Sequence, residues 1–197
     1  EMALAQEMKK ELEANGKSAY ILARGGSCPL GNCGYILCAD EILSQAKEIN
    51  VAFDYVVCPS GTGGTQTGLL VGFEMANASI SLLGINVSQN NEKRLPAMYH
   101  SLDQISSFLD MKAPDREKVK CFDAFFGEGY SKPTIELKEA IELLARTEGI
   151  MLDPIYSGKA MAGLIGLIRN GEIEKGSKIV FLHTGGFTPY YDYTTMM

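Results

Sequence analysis

The order of apolar segments implies an α/β fold: a three-layer sandwich on a mainly parallel sheet, covered by helices on both faces. Three observations carry this reading. Short apolar runs alternate with longer segments of helical periodicity, and Gly or Asn marks most of the joints. The 197 residues are also 46% hydrophobic and 21% charged, which is enough apolar material for a real core.

Met2 to Ala14 places apolar residues at helical spacing and ends in the stop signal Asn15-Gly16. A strand is expected over Ala19 to Ala23, running into Arg24-Gly25-Gly26-Ser27, and then a long helix from Leu30 to Ile49. Val51 to Val57 reads as the next strand, Leu69 to Ala76 as a helix and Ser81 to Val87 as a strand. A helix over Glu92 to Met111, a short strand over Val119 to Phe122 and helices over Thr134 to Thr147 and Ser157 to Asn170 follow. Lys178 to Leu182 closes the series as a strand. Repeats, low-complexity tracts and linkers are absent from the sequence.

Composition excludes several functions. Eighteen basic against twenty-four acidic side chains give a net charge of −6, without a basic run, so nucleic acid is not the expected partner. Apolar stretches are broken well short of the roughly 20 residues that cross a bilayer, so no membrane role is expected and a cytoplasmic location is. Cys28, Cys33, Cys38, Cys58 and Cys121 form an odd, scattered set read as reduced thiols, and with only His100 and His183 a metal centre is not expected.

In parallel α/β folds, sites gather at the carboxyl ends of strands, and two such ends carry unusual loops. In Ser60-Gly-Thr-Gly-Gly-Thr-Gln-Thr-Gly68, a glycine-rich turn entering a helix aims backbone N–H groups and hydroxyls at one small volume, which suits a phosphate. It is neither a Walker loop, since no Lys follows, nor the dinucleotide pattern, since Gln66 stands where the third Gly would fall. The bland alternative is a tight turn. The second loop is His183-Thr184-Gly185-Gly186, where an isolated histidine is more simply a hydrogen-bonded structural residue. In Asp153-Pro-Ile-Tyr-Ser-Gly-Lys159, Ser157 is a plausible N-cap with Tyr156 just outside the helix; by themselves, these residues and Tyr130 indicate only capping and a turn.

Taken together, the motifs resemble the pyridoxal-phosphate enzymes of fold type II (tryptophan synthase beta-like) that include D-cysteine desulfhydrase and 1-aminocyclopropane-1-carboxylate deaminase. The resemblance rests on Gly25 to Tyr35, Ser60 to Gly68, Gly129-Tyr130, Glu148 to Ala160 and His183 to Gly186, in the family's order. It implies pyridoxal 5′-phosphate as cofactor, with Thr62, Gly63, Gly64 and Thr65 at its phosphate and Thr184 against the pyridine nitrogen. Tyr130 and Tyr156 match the family's active-site tyrosines. Ser157 falls where the desulfhydrase branch has Thr and the deaminase branch Glu, in contact with the cofactor.

The pair Ser157 and Thr184 therefore leans towards β-elimination of D-cysteine to pyruvate, sulfide and ammonia, with cysteate and chloroalanine as related substrates. A neutral hydroxyl at the ring nitrogen supports a weaker electron sink than a carboxylate, and expelling a good leaving group demands less than opening a cyclopropane ring. The deaminase and a non-catalytic phosphate-binding remnant are the alternatives.

The resemblance also implies that the Schiff-base lysine lies in an N-terminal portion with no counterpart here; Lys159 matches a different lysine. The expectation is a chain incomplete at its N-terminus and inactive alone, its missing half a separate or cleaved chain, and a homodimer when complete. Residues 1–35 would finish a small domain and crossover, and 36–197 would form the large cofactor-binding domain.

Overall fold

The computed structural model describes residues 2–185. The elements run α1 (Met2–Ala14), α2 (Pro29–Glu48), β1 (Tyr55–Ser60), α3 (Gly64–Met75), β2 (Ser81–Asn86), α4 (Asn91–Phe108), β3 (Lys120–Phe122), α5 (Ile135–Glu148), α6 (Ser157–Arg169) and β4 (Ile179–Phe181). Four strands form one sheet in the order β3-β2-β1-β4, every pair parallel.

Alternation along the central strands sorts their side chains to two faces. Val57, Leu83 and Ile85 pack with α5 and α6 through Leu137, Ile141, Met161 and Leu164. Val56, Cys58 and Leu82 pack with α2, α3 and α4 through Ala39, Leu69, Phe73, Met98 and Ile105. The sandwich is therefore three-layered, as the alternation of segments implied.

Glycine permits the close contact of α2 with α3. A Cβ on Gly68 would strike the carbonyl oxygen of Asn32 and the Cβ of Tyr35, and one on Gly72 would strike Cβ of Ala39. These absent side chains let two backbones approach and bring the Gly25–Asn32 region over the start of α3.

Several expectations need correction. Ala19 to Ala23 is not a strand; it finds no partner strand among the described residues, and Tyr20 and Leu22 are exposed. The strand expected at Val51 starts instead at Tyr55. Asn50 turns into the left-handed region (φ 54°) and Val51 N–H donates back to the carbonyl of Ala46, so Val51 to Phe53 finish the end of α2 rather than enter the sheet. The helix expected from Leu69 begins at Gly64, shortening the loop after β1 to three residues. All five cysteines are free thiols, and no helix among the described residues is long and apolar enough to cross a membrane.

Candidate active site

β1 and β4 are hydrogen-bonded neighbours lying far apart in the chain. From β1 the chain moves outward through β2 and β3, then returns to place β4 on the other side. Loops leaving the carboxyl ends of β1 and β4 are thus independent, and a crevice opens where strand order reverses. One cavity occupies this place, lined by Gly61, Thr62, Gly63, Gly64 and Thr65 from the first loop, Thr184 from the second, and Tyr156.

The first loop is built as an anion cradle. Gly63 caps α3 in the left-handed region (φ 95°), a conformation that costs glycine little. The N–H groups of Gly64, Thr65 and Gln66 in the first turn meet no acceptor among the described residues, which is the usual state of a helix N-terminus and a source of positive potential. Ser60 Oγ, at the root of the loop, is buried without a partner. A phosphate fits this donor set. Gln66, by contrast, turns away: its amide donates to the carbonyl of Lys120 at 2.9 Å and its side chain packs on Gly84 of β2, locking α3 to the sheet.

Tyr130 and Tyr156 meet at the cavity rim with their hydroxyl oxygens 2.6 Å apart and their rings edge to face at 5.9 Å between centroids. Burial, then the bond to Tyr130, pushes the Tyr156 phenol up to about 12, with the neighbouring Arg24 opposing. Tyr156 therefore holds its proton at neutral pH.

The turn bearing Tyr156 is organised by Asp153, a residue the sequence reading passed over. Its buried carboxylate accepts from the N–H groups of Ile155, Tyr156 and Ser157 at 2.7–2.8 Å and from the Ser157 hydroxyl at 2.5 Å. Ser157 is consequently the first residue of α6 and not its N-cap; Tyr156 holds that position without a side-chain bond. The Ser157 hydroxyl, committed to Asp153, also accepts from the Asp153 N–H at 2.8 Å, and Ser157 lines neither cavity beside the tyrosines. A sequence signal existed: Asp followed by Pro, with Ser four residues on, is an Asx-type turn into a helix.

Lys159 is the second residue missed as a structural actor. It is fully buried, and its ammonium donates to the carbonyls of Phe126 at 2.8 Å, Gly129 at 2.6 Å and Val87 at 3.4 Å. Burial pulls its pKa down to about 8. The Gly129 carbonyl belongs to the residue before Tyr130, so this ammonium tethers the loop that presents the phenol to Tyr156. His183 is exposed and hydrogen-bonded as a structural residue, with Nε2 2.8 Å from the Met151 carbonyl and Nδ1 accepting from Gly185 N–H. Gly186 of the same motif lies outside the described residues.

Comparison with known proteins agrees with this geometry. The family model described as "Pyridoxal-phosphate dependent enzyme" matches residues 1–185. A Yersinia pestis protein named D-cysteine desulfhydrase is 39% identical over 187 residues, covering 95% of this chain and 56% of its own length. A Pyrococcus furiosus protein provisionally named 1-aminocyclopropane-1-carboxylate deaminase is 38% identical over 192 residues, covering 98% of this chain and 57% of its own. The chain thus spans little more than half the length of these relatives. A crystal structure described as an "ACC deaminase homologue" superposes with a TM-score of 0.90 at 34% identity, over 99% of this chain and 57% of that one. A threonine deaminase structure, at 18% identity and a TM-score of 0.58, shares the fold. The cavity between the glycine-rich turn and the loop bearing Thr184 agrees with these matches: the chain belongs to the family of pyridoxal-phosphate-dependent enzymes of fold type II, whose cofactor is pyridoxal 5′-phosphate.

Proposed function

We propose that this chain forms the cofactor-binding part of a lyase that eliminates sulfide from D-cysteine, leaving pyruvate and ammonia. The observation that carries the reading is the single cavity joining Gly61 to Thr65 with Thr184 and Tyr156 at the carboxyl ends of β1 and β4. Bound there, pyridoxal 5′-phosphate supplies an electron sink that weakens bonds at the substrate Cα. Thr62, Gly63, Gly64 and Thr65 would hold its phosphate, and the Thr184 hydroxyl would face its ring nitrogen with a neutral group.

The tyrosine pair holds one proton between two phenol oxygens, and the raised Tyr156 pKa makes that residue a donor at neutral pH rather than a base. Position 157 supports the desulfhydrase over the deaminase only in offering no carboxylate, since its hydroxyl is committed to Asp153 and lies outside the cavity lining. The relatives' names favour the two reactions equally. Lys159, buried and hydrogen-bonded to three carbonyls, is poorly placed to be the Schiff-base lysine, which we assign to a segment outside these 197 residues. In the complete protein, a homodimer, residues 1–35 would belong to the small domain and crossover, and residues 36–197 to the large cofactor-binding domain.

The test supplies the chain with the segment bearing that lysine and offers both substrates. Sulfide release from D-cysteine exceeding 2-oxobutanoate release from 1-aminocyclopropane-1-carboxylate supports the proposal, and the reverse ranking assigns the deaminase. Absence of both turnover and the visible absorbance band of a lysine-bound cofactor would leave the non-catalytic phosphate- or pyridoxal-phosphate-binding remnant as the correct reading.

A further inference from the structure

Arg94 lies in the first turns of α4, is only 3% exposed, and directs its guanidinium beneath the phosphate loop, where Nη1 comes within 3.7 Å of the space a Cβ on Gly63 would fill. Among the described residues its side chain has neither a hydrogen bond nor an ion pair, and its Nε is buried without a partner. Among those residues, the ionisable group that interacts with it is the Cys121 thiol, which burial keeps protonated. A buried guanidinium with no counter-charge is strongly unfavourable, and an oxyanion is the ligand whose geometry and charge remove that penalty.

The space Arg94 faces supports the same conclusion. A second cavity shares Gly61, Thr62 and Tyr156 with the cofactor cradle and is completed by Arg94, Arg24, Ser88, Gln89 and Tyr130. Two arginines, an amide, a serine and the paired phenols line it, and no carboxylate of the described residues does. It opens on the tyrosine side of the loop, whereas the free N–H groups of Gly64 and Thr65 serve the other cavity.

We propose that Arg94, assisted by Arg24, forms an anion subsite that receives a second oxyanion, a sulfonate or carboxylate on the substrate side chain. The proposal rests on the functional reading above, because it places the amino acid beside the cofactor cradle and the tyrosine pair. It deepens that reading: among the β-substituted amino acids that the same elimination admits, those with an acidic side chain gain a contact with Arg94 that the thiol of D-cysteine does not make.

The test is calorimetric titration of the chain supplied with the segment bearing the Schiff-base lysine and saturated with pyridoxine 5′-phosphate, which shares the cofactor's ring and phosphate but has no aldehyde to react with amines. D-Cysteate, D-aspartate and D-alanine are compared. The expected result is that the two acidic amino acids bind at least about tenfold more tightly than alanine, the scale of one charged hydrogen-bonded contact. Arg94→Gln removes that preference and Arg94→Lys retains part of it, both variants being checked for native circular dichroism. Equal binding of all three amino acids by the unmodified chain overturns the proposal without recourse to any variant. So does a preference seen only before pyridoxine 5′-phosphate is added, which would assign Arg94 to the cofactor phosphate. Failure of pyridoxine 5′-phosphate itself to bind would overturn the underlying reading of the cradle, a distinct outcome.

Discussion

The proton shared by Tyr130 and Tyr156 depends on groups of opposite kinds. Tyr130→Phe removes the phenol oxygen 2.6 Å away, so the Tyr156 pKa should fall from about 12 towards the ordinary 10, read as tyrosinate absorbance in an alkaline titration. An unmoved transition would mean that burial alone sets it. Lys159 acts one step further back, holding the Gly129 carbonyl and hence the Tyr130 loop. Lys159→Met should therefore reproduce the Tyr130→Phe titration although it removes no phenol, whereas an unchanged Tyr156 would refute the tether. The same lysine gives a signed pH effect. Its folded pKa of about 8 lies below the ordinary 10.5, so the folded state binds fewer protons than the unfolded chain between those values. Its burial penalty is fully present below pH 8 and is relieved as pH rises across the window. The stability of the parent chain minus that of Lys159→Met should rise by up to about 1.4 kcal/mol per pH unit there, measured by denaturant unfolding.

At the scale of elements, the same question is which local signals were readable and which depended on a partner. The strand-to-helix turn at Thr62 to Thr65, with its unpartnered N–H groups at a cavity, was legible because glycines and hydroxyls in such a turn act locally. The strand expected at Ala19 to Ala23 was not, because pairing is decided by a neighbouring edge that a linear pattern does not reveal. Val51 to Phe53 misled for a different reason: three apolar residues suit a strand, but Asn50 in the left-handed region recruits them to end α2. Asp153 was overlooked since its carboxylate serves backbone donors rather than substrate. Its removal should be costly. Asp153→Ala orphans three N–H groups and a hydroxyl in a buried turn, and a loss of roughly 3 kcal/mol or more is expected, with Asp153→Asn milder. Gly68→Ala tests packing instead of polarity. A Cβ there meets the Asn32 carbonyl and Tyr35, and a loss of about 1–3 kcal/mol is expected from forcing α2 and α3 apart, against almost none if the two helices can slide.

For the whole molecule, the decisive feature is that sheet order, rather than sequence proximity, brings the two halves of the cavity together. β1 and β4 pair through only three residues each, and their loops share no hydrogen bond among the described residues. A ligand reaching from the Gly61–Thr65 turn to Thr184 would therefore act as a cross-brace at the carboxyl edge of the sheet. Hydrogen exchange makes that bracing visible. Pyridoxine 5′-phosphate should slow exchange at both Gly64 to Gln66 and Thr184-Gly185, since phosphate and ring are held by different strands' loops. Inorganic phosphate should slow only the first group, because it supplies the anion without the ring. At a hundredfold excess over its dissociation constant the bridging ligand should also raise global stability by about 2.7 kcal/mol. If protection appears at Gly64 to Gln66 alone with both ligands, the ring does not span the crevice, and Thr184 is a bystander to a simple phosphate site.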